Sequence, residues 1–250
     1  MIADLDSCGP LRIIRPFPLE DDRVLLQLVT VGPGLLAGDR YQLEIRVGKG
    51  ARAVVLQQSA TKVHRMAPHQ TATQDVRIVV EEGGELEYYP GLGIPYPEAE
   101  LHQRTEVSLC PTARFGWFEV WATGRDVRGE RLAFRRLWVE TAIDADGDPV
   151  YRDALVLAPG TSPPDRVGML EGARYVASGF WRWGQGEPVF WEDGGSVLVA
   201  GHTAFGDLYL RALARDGLAL RQKLAALLGV WRTRWGLVDI PWARCGSAWG

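Results

Sequence analysis

The sequence predicts a mainly β protein: an irregular multi-strand sandwich or a solenoid-like single domain with one C-terminal α-helix. Residues 11–157 consist of short runs rich in Val, Ile, Leu, Tyr, Phe and Trp, separated by clusters of Gly, Pro and Asp. No helical periodicity interrupts these runs, so sheets are expected to pack on sheets or to coil as a solenoid. Near the C-terminus, apolar residues instead recur at three- and four-residue spacing, which indicates a helix.

Alternating apolar and polar residues predict the strands of this first stretch. They fall at 11–14, 24–31, 41–47, 51–56, 73–80, 85–89, 99–108, 114–122, 131–140 and 151–157. Glycine-containing turn signals at 47–50, 82–85 and 145–148 favour hairpins or tight corners between them.

The remaining third of the chain begins with a proline-rich segment at 158–165. A short amphipathic helix is predicted at 167–175, and further strands at 176–183, 189–200 and 207–214. A longer helix is predicted from Arg215-Asp216-Gly217 to about Trp231, with an apolar stripe that must pack on the sheets or on a partner. We expect one domain over 1–250, β-rich at 9–214, with the helix and tail at 215–250.

Composition and charge exclude several classes of protein. With 250 residues, 46% hydrophobic and 24% charged, the chain is globular. A net charge of −3 argues against a nucleic-acid partner. The acidic start and the lack of an eighteen-residue apolar window predict neither signal peptide nor membrane span, hence a cytoplasmic protein. Cys8, Cys110 and Cys245 form no CxxC pair and predict reduced thiols.

Signatures of enzymes are missing from the sequence. HExxH, GxxxxGK[ST] and GxSxG do not occur, and the four histidines, at 64, 69, 102 and 202, are scattered. The sequence therefore predicts a protein without catalytic residues.

Three motifs stand out from the strand pattern. The first is Gly32-Pro33-Gly34-Leu35-Leu36-Ala37-Gly38-Asp39, in which glycines allow positive φ and close backbone approach. The second spans 56–65, and the third spans 124–130. The motif positions are Gly34, Gly38, Asp39, Gln58, Thr61, Lys62, Gly124, Arg125, Gly129 and Glu130.

Together with Pro90, Ile94-Pro95-Tyr96 and Ala99, these motifs resemble the urease accessory protein family called UreD or UreH, over about residues 9–215. The resemblance implies a non-enzymatic scaffold and metallochaperone that binds apo-urease together with UreF and the GTPase UreG. It further implies nickel insertion through an internal channel, GTP hydrolysis by the partner, and no stably bound cofactor, only transient Ni²⁺.

Two positions depart from the family pattern. Gln57 stands where the family has Thr. The tail, Ile240-Pro241-Trp242-Ala243-Arg244-Cys245, keeps only Pro241 and Arg244 as an echo of the family's Pro-Arg-aromatic-Trp ending.

Nickel transit favours oxygen ligands, because imidazole and thiolate sites bind divalent nickel strongly and release it slowly. The candidate carboxylates are Asp39, Glu44, Glu85, Glu87, Glu119 and Glu130. Asp39 and Glu130 lie in the motifs, and His64 is a further weak candidate. Each has a structural alternative: Asp39 caps a turn, Glu130 pairs with Arg125 or Arg128, and His64 is a hydrogen-bonded surface residue.

A carbohydrate-binding or carbohydrate-active β protein is the alternative function, since it would use acids for catalysis and tryptophans for stacking. It requires Trp181, Trp183 and Trp191 to form an exposed row, whereas burial of these residues favours the scaffold.

Overall fold

A computed structural model describes residues 2–14, 16–184 and 186–242. The strands are β1 (Leu11–Ile13), β2 (Phe17–Pro18), β3 (Val24–Thr30), β4 (Arg40–Val47), β5 (Arg52–Gln57), β6 (Thr61–Val63), β7 (Ala72–Val80), β8 (Glu85–Pro95), β9 (Glu100–Leu109), β10 (Arg114–Ala122), β11 (Gly124–Arg125), β12 (Glu130–Arg131), β13 (Arg136–Ala145), β14 (Asp148–Leu157), β15 (Tyr175–Arg182), β16 (Val189–Asp193), β17 (Ser196–His202) and β18 (Leu208–Ala214). One helix follows, α1 (Gly217–Arg234), and a single 3₁₀ turn lies at Asp126–Arg128.

The strands form two main sheets that face each other. The large sheet has eleven strands, with the central order β1-β3-β5-β8-β10-β15-β18-β17-β16, and the small sheet has five, in the order β14-β13-β9-β7-β4. β3, β5, β8 and β10 pair in parallel in the large sheet, and β4, β7, β9 and β13 do so in the small sheet. The chain thus alternates between sheets, which is the course of a β-solenoid and confirms the predicted mainly β, solenoid-like fold.

The turn signals serve two different purposes. Residues 47–50 and 82–85 carry the chain from the small sheet to the large one, so they are corners. Asp146 and Gly147, both with positive φ, instead form the β13–β14 hairpin.

Helix α1 covers the face of the large sheet that points away from the small sheet. Asp216 caps it by accepting a 2.7 Å hydrogen bond from the amide of Ala219. Leu220, Leu224, Leu228 and Trp231 are buried against the sheet, so the predicted stripe packs within the chain.

Several predicted boundaries were wrong. The helix predicted at 167–175 is absent: residues 167–172 form turns, because Gly168, Glu171 and Gly172 adopt positive φ, and Tyr175 begins β15. The strand predicted at 189–200 is two strands, β16 and β17, separated by a turn at Gly194 and Gly195, both also at positive φ. The strand predicted at 131–140 is displaced to β13. Four strands of two or three residues were missed: β2, β6, β11 and β12.

The structure describes no helix that is long and apolar enough to cross a membrane, within the residues given above. Cys8 and Cys110 are free thiols. Cys245 and Arg244 lie outside the described residues, and the single-domain division stays a prediction.

Candidate functional site

The first motif lies along β6, which belongs to the second motif. The amide of Leu35 donates to the carbonyl of Lys62 at 2.8 Å, and the amide of His64 donates to the carbonyl of Leu35 at 2.9 Å. Gly34 has φ +125°, and a Cβ there would lie 2.3 Å from the Lys62 carbonyl oxygen. Only glycine therefore fits this backbone contact.

Asp39 closes the turn that ends the first motif. Its carboxylate accepts the amide proton of Leu36 at 2.8 Å, next to Gly38 at φ +79°. This is the structural alternative foreseen for Asp39. The described residues contain no cluster of three or more His, Cys, Asp or Glu side chains that could hold a metal ion, so a transit role for Asp39 stays a prediction.

The third motif forms the two-stranded sheet of β11 and β12. Gly124, at φ +135°, approaches so closely that a Cβ would lie 2.1 Å from the Glu130 carbonyl oxygen. Arg125 donates to both carboxylate oxygens of Glu130, at 2.5 and 2.8 Å, and this hydrogen bonding raises the pKa of the guanidinium. Gly129, at φ +69°, ends the 3₁₀ turn. Glu130 is thus half-buried and paired with Arg125.

Aromatic contacts connect the three motifs. The Arg125 guanidinium lies 4.1 Å from the Tyr96 ring centre. His64 meets the same ring edge-on at 4.8 Å, and its Nε2 lies 2.7 Å from the carbonyl oxygen of Pro33. These contacts match the structural alternative for His64, and a transit role for this residue stays a prediction.

A small cavity of about 40 Å³ opens where the first two motifs meet, at the seam between the sheets. Its lining includes the backbone around Gly34 and several polar side chains: Thr30, Tyr41, Gln57, Ser59, Thr61, Gln74 and Tyr88. Gln57 donates to the Thr61 hydroxyl at 2.9 Å. Lys62 also borders the cavity, but its side chain is exposed. The backbone amide of Gln58 donates to the backbone carbonyl of Leu28.

From this cavity a row of polar side chains crosses the space between the sheets. We call it the polar belt; its members are Gln57, Gln74, Gln103, Thr105, Glu119, Thr141 and Ser178, with Arg211 and Asp153 at the far end. Glu119, Ser178 and Arg211 are aligned across the large sheet. Thr105, Thr141 and Asp153 are aligned across the small sheet.

The polar belt separates two apolar clusters that would otherwise merge. On one side lie Tyr88, Trp117, Val76 and Ile143. On the other lie Leu35, Leu101, Trp121 and Val139. Polar residues inside a protein are costly unless they are hydrogen-bonded. Members of the polar belt meet this condition by bonding to one another, as Gln103 does to Glu119.

Glu119 is the carboxylate at the centre of the polar belt. It is 5% exposed and accepts a 2.7 Å hydrogen bond from the amide of Gln103. Burial raises its pKa to about 7, although the Gln103 hydrogen bond opposes this shift. Burial also raises the pKa of Tyr88, and the Glu119 charge adds to that shift.

The other candidate carboxylates lie elsewhere. Glu44 is exposed on the outer face of the small sheet. Glu85 and Glu87 belong to a buried ion cluster beneath the end of α1, where Glu87 contacts Arg23 at 2.6 Å and also pairs with Arg232. Glu119 is therefore the candidate that faces the interior with an amide, rather than a guanidinium, at hydrogen-bonding distance.

Sequence reasoning included Glu119 but missed Gln103, Ser178 and Arg211. Each is a polar residue at an inward position of its strand, where most inward neighbours are apolar. That signal is visible in the sequence, but the alignment of the residues depends on strand register.

The tryptophans do not form the exposed row that carbohydrate binding requires. Trp181 and Trp183 are 1% and 8% exposed. Trp191 is half-buried against the core beneath α1, with the Lys223 ammonium 5.0 Å from its ring centre.

These features define a class of protein: a two-sheet β-solenoid with a polar belt between its sheets and a helix covering one outer face. The family model described as UreD urease accessory protein matches residues 1–245. The chain belongs to the UreD family, and membership supports a role in urease maturation.

Individual relatives agree with this assignment. Urease accessory protein UreD 1 of Synechococcus sp. (strain JA-3-3Ab) is 40% identical over 94% of this chain and 86% of its own length. UreD of Deinococcus radiodurans is 33% identical over 88% of this chain and 80% of its own length. UreH of Helicobacter acinonychis is 28% identical over 91% of this chain and 89% of its own length.

Proposed function

We propose that this protein is a non-enzymatic scaffold and metallochaperone that assists delivery of nickel to urease. It binds apo-urease in the cytoplasm, in a complex with UreF-like and UreG-like partners, and the UreG-like GTPase hydrolyses the nucleotide. It holds no cofactor stably, and Ni²⁺ is its transient cargo.

The polar belt with Glu119 at its centre carries this proposal. Amide, hydroxyl and carboxylate oxygens bind divalent nickel more weakly than imidazole or thiolate. A micromolar site releases its ion in about a tenth of a second at an association rate near 10⁷ M⁻¹s⁻¹, whereas a nanomolar site holds it for roughly a hundred seconds. The polar belt therefore has ligands suited to passage rather than storage.

The raised pKa of Glu119 also suits passage. A pKa of about 7 means that the carboxyl gains and loses its proton near neutral pH. A cation that enters the polar belt must displace this proton, which lowers its affinity, and the proton returns when the cation leaves.

The test is nickel-dependent activation of apo-urease, reconstituted with the UreF-like and UreG-like partners and either wild-type protein or Glu119→Gln. The substitution keeps the shape and one oxygen that can accept from the Gln103 amide but removes the charge, so activation is expected to fall severalfold. Glu44→Gln makes the same change on the outer face and should leave activation unchanged.

Co-purification distinguishes the steps. Glu119→Gln should still associate with the partners and apo-urease, because Glu119 is buried. Full activation by Glu119→Gln would contradict transit through the polar belt. Failure of the wild-type protein to associate or activate would contradict the maturation complex itself.

A further inference from the structure

The far end of the polar belt is occupied by an arginine. Arg211 lies on β18, at the seam where the large sheet meets β14 of the small sheet. Its guanidinium donates to the Ser178 hydroxyl at 2.6 Å and pairs with the Asp153 carboxylate. The Arg211 side chain is 41% exposed, whereas that of Asp153 is 10% exposed.

The charge of Arg211 acts on the interior. It lowers the pKa of Glu119, against the stronger effect of burial. It likewise lowers the pKa of Tyr151, which burial nonetheless raises to about 12. A guanidinium whose field reaches Glu119 will also repel a cation held there.

We propose that Arg211 closes this end of the polar belt as a movable cation barrier. This inference rests on the proposed transit of nickel. While Arg211 is paired with Asp153 and Ser178, its positive charge prevents a divalent cation from passing the seam. When the guanidinium turns outward to solvent or to a partner's carboxylate, the charge leaves and Asp153 becomes a free oxygen ligand at the opening.

The side-chain geometry permits this movement. Arg211 is already partly in solvent and has a long, flexible stem, whereas Asp153 and Ser178 are nearly buried and stay in place. One rotation therefore replaces repulsion by attraction at the same opening.

The test measures cation entry without any partner. Thr141→Cys, in a background where Cys8, Cys110 and Cys245 are replaced by serine, places a thiol on the strand next to Asp153 and leaves both contacts of Arg211 intact. Cd²⁺ is the probe, and stopped-flow absorbance of the cadmium–thiolate band gives its rate of entry. Neutral iodoacetamide, applied in parallel, reports how far the opening itself has widened.

Arg211→Gln in this background should raise the Cd²⁺ rate by up to roughly a thousandfold, the order expected for removing a unit charge within roughly 8 Å of a divalent cation at an effective dielectric constant near 20. The iodoacetamide rate should rise much less. Arg104→Gln, which removes an exposed arginine from the outer face of the small sheet, should change neither rate.

Equal increases for Cd²⁺ and iodoacetamide would overturn the barrier and indicate simple widening. Absence of Cd²⁺ reaction in every variant would also overturn it, since removal of the barrier should admit the ion. Arg211-dependent entry with full urease activation by Glu119→Gln would leave the barrier standing and reject the proposed transit. If Cd²⁺ entry does not depend on Arg211 but Glu119→Gln lowers urease activation, the proposed transit stands and the barrier is rejected.

Discussion

At the scale of single residues, two glycines explain why the motifs are recognisable in the sequence. Gly34 and Gly124 combine positive φ with a neighbouring carbonyl oxygen where a Cβ would lie. Each holds together two chain segments, the first motif with β6 and β11 with β12. These positions are fixed by backbone contact, so their pattern marks places where two chain segments pack closely.

Alanine substitutions at two glycines of one loop separate the cost of a positive φ from the cost of a close backbone contact. Gly34→Ala adds a clash with the Lys62 carbonyl to an unfavourable φ, and should lower the free energy of unfolding by about 3 kcal/mol or more. Gly38→Ala has the unfavourable φ but no atom within 4 Å, and should cost about 1 kcal/mol. Urea unfolding measures both, and equal costs would contradict the close contact.

Glu119 makes stability depend on pH in an unusual direction. Its folded pKa of about 7 lies above the ordinary 4.5, so between these values the folded chain keeps a proton that the unfolded chain releases. Its contribution to stability therefore falls as pH rises from about 5 to 7. Glu119→Gln, always neutral, should gain stability relative to wild type over this range, by on the order of 3 kcal/mol.

Urea unfolding of both proteins from pH 5 to pH 8 tests this expectation. Glu44→Gln changes an exposed carboxylate, so its free energy of unfolding should vary with pH in the same way as that of the wild type. A constant difference between Glu119→Gln and wild type would show that Glu119 is ionised throughout.

At the scale of elements, helix α1 is anchored by a buried ion cluster as well as by its apolar stripe. Arg232, in its last turn, pairs with Glu87 of β8 and donates to the Val238 carbonyl at 3.0 Å. Glu87 also accepts from Arg23 at 2.6 Å and from the Tyr89 hydroxyl at 2.7 Å. The cluster joins the helix, the large sheet and the segment before β3.

Two arginines in the last helical turn provide a matched comparison. Arg232→Met removes one partner of a buried pair, with both side chains 1% exposed, and should cost about 3 kcal/mol of unfolding free energy. Arg234→Met breaks an ion pair with Glu187 in which the side chains are 45% and 75% exposed, and should cost less than about 1 kcal/mol. Comparable shifts in the urea midpoint of the two variants would argue that the buried ion cluster does not anchor helix α1.

Element type was largely predictable, because alternation and turn residues report local geometry. Helix α1 and most strands were found in this way. The errors arise where local and tertiary effects differ: residues 167–175 have an amphipathic pattern, but their positive-φ positions, among them Glu171, cannot continue a helix. β6 is too short to show a period and is held by β8 and Leu35.

At the scale of the whole molecule, the polar belt exists only because the chain alternates between sheets. Gln103 and Glu119 come from different sheets, yet meet at 2.7 Å. Sequence patterns identify inward residues but not the register that aligns them. The motifs were therefore predictable, the carboxylates could only be proposed, and the belt required the structure.

The two edges of the small sheet differ, and this limits how copies of the protein can associate. β4 carries exposed Arg40, Gln42, Glu44 and Arg46, whereas β14 runs antiparallel to β13. A regular solenoid offers the same parallel edge at each end, so identical chains could polymerise end to end. Here the charged strand β4 and the antiparallel strand β14 close the two edges, so end-to-end pairing of copies into fibres is disfavoured.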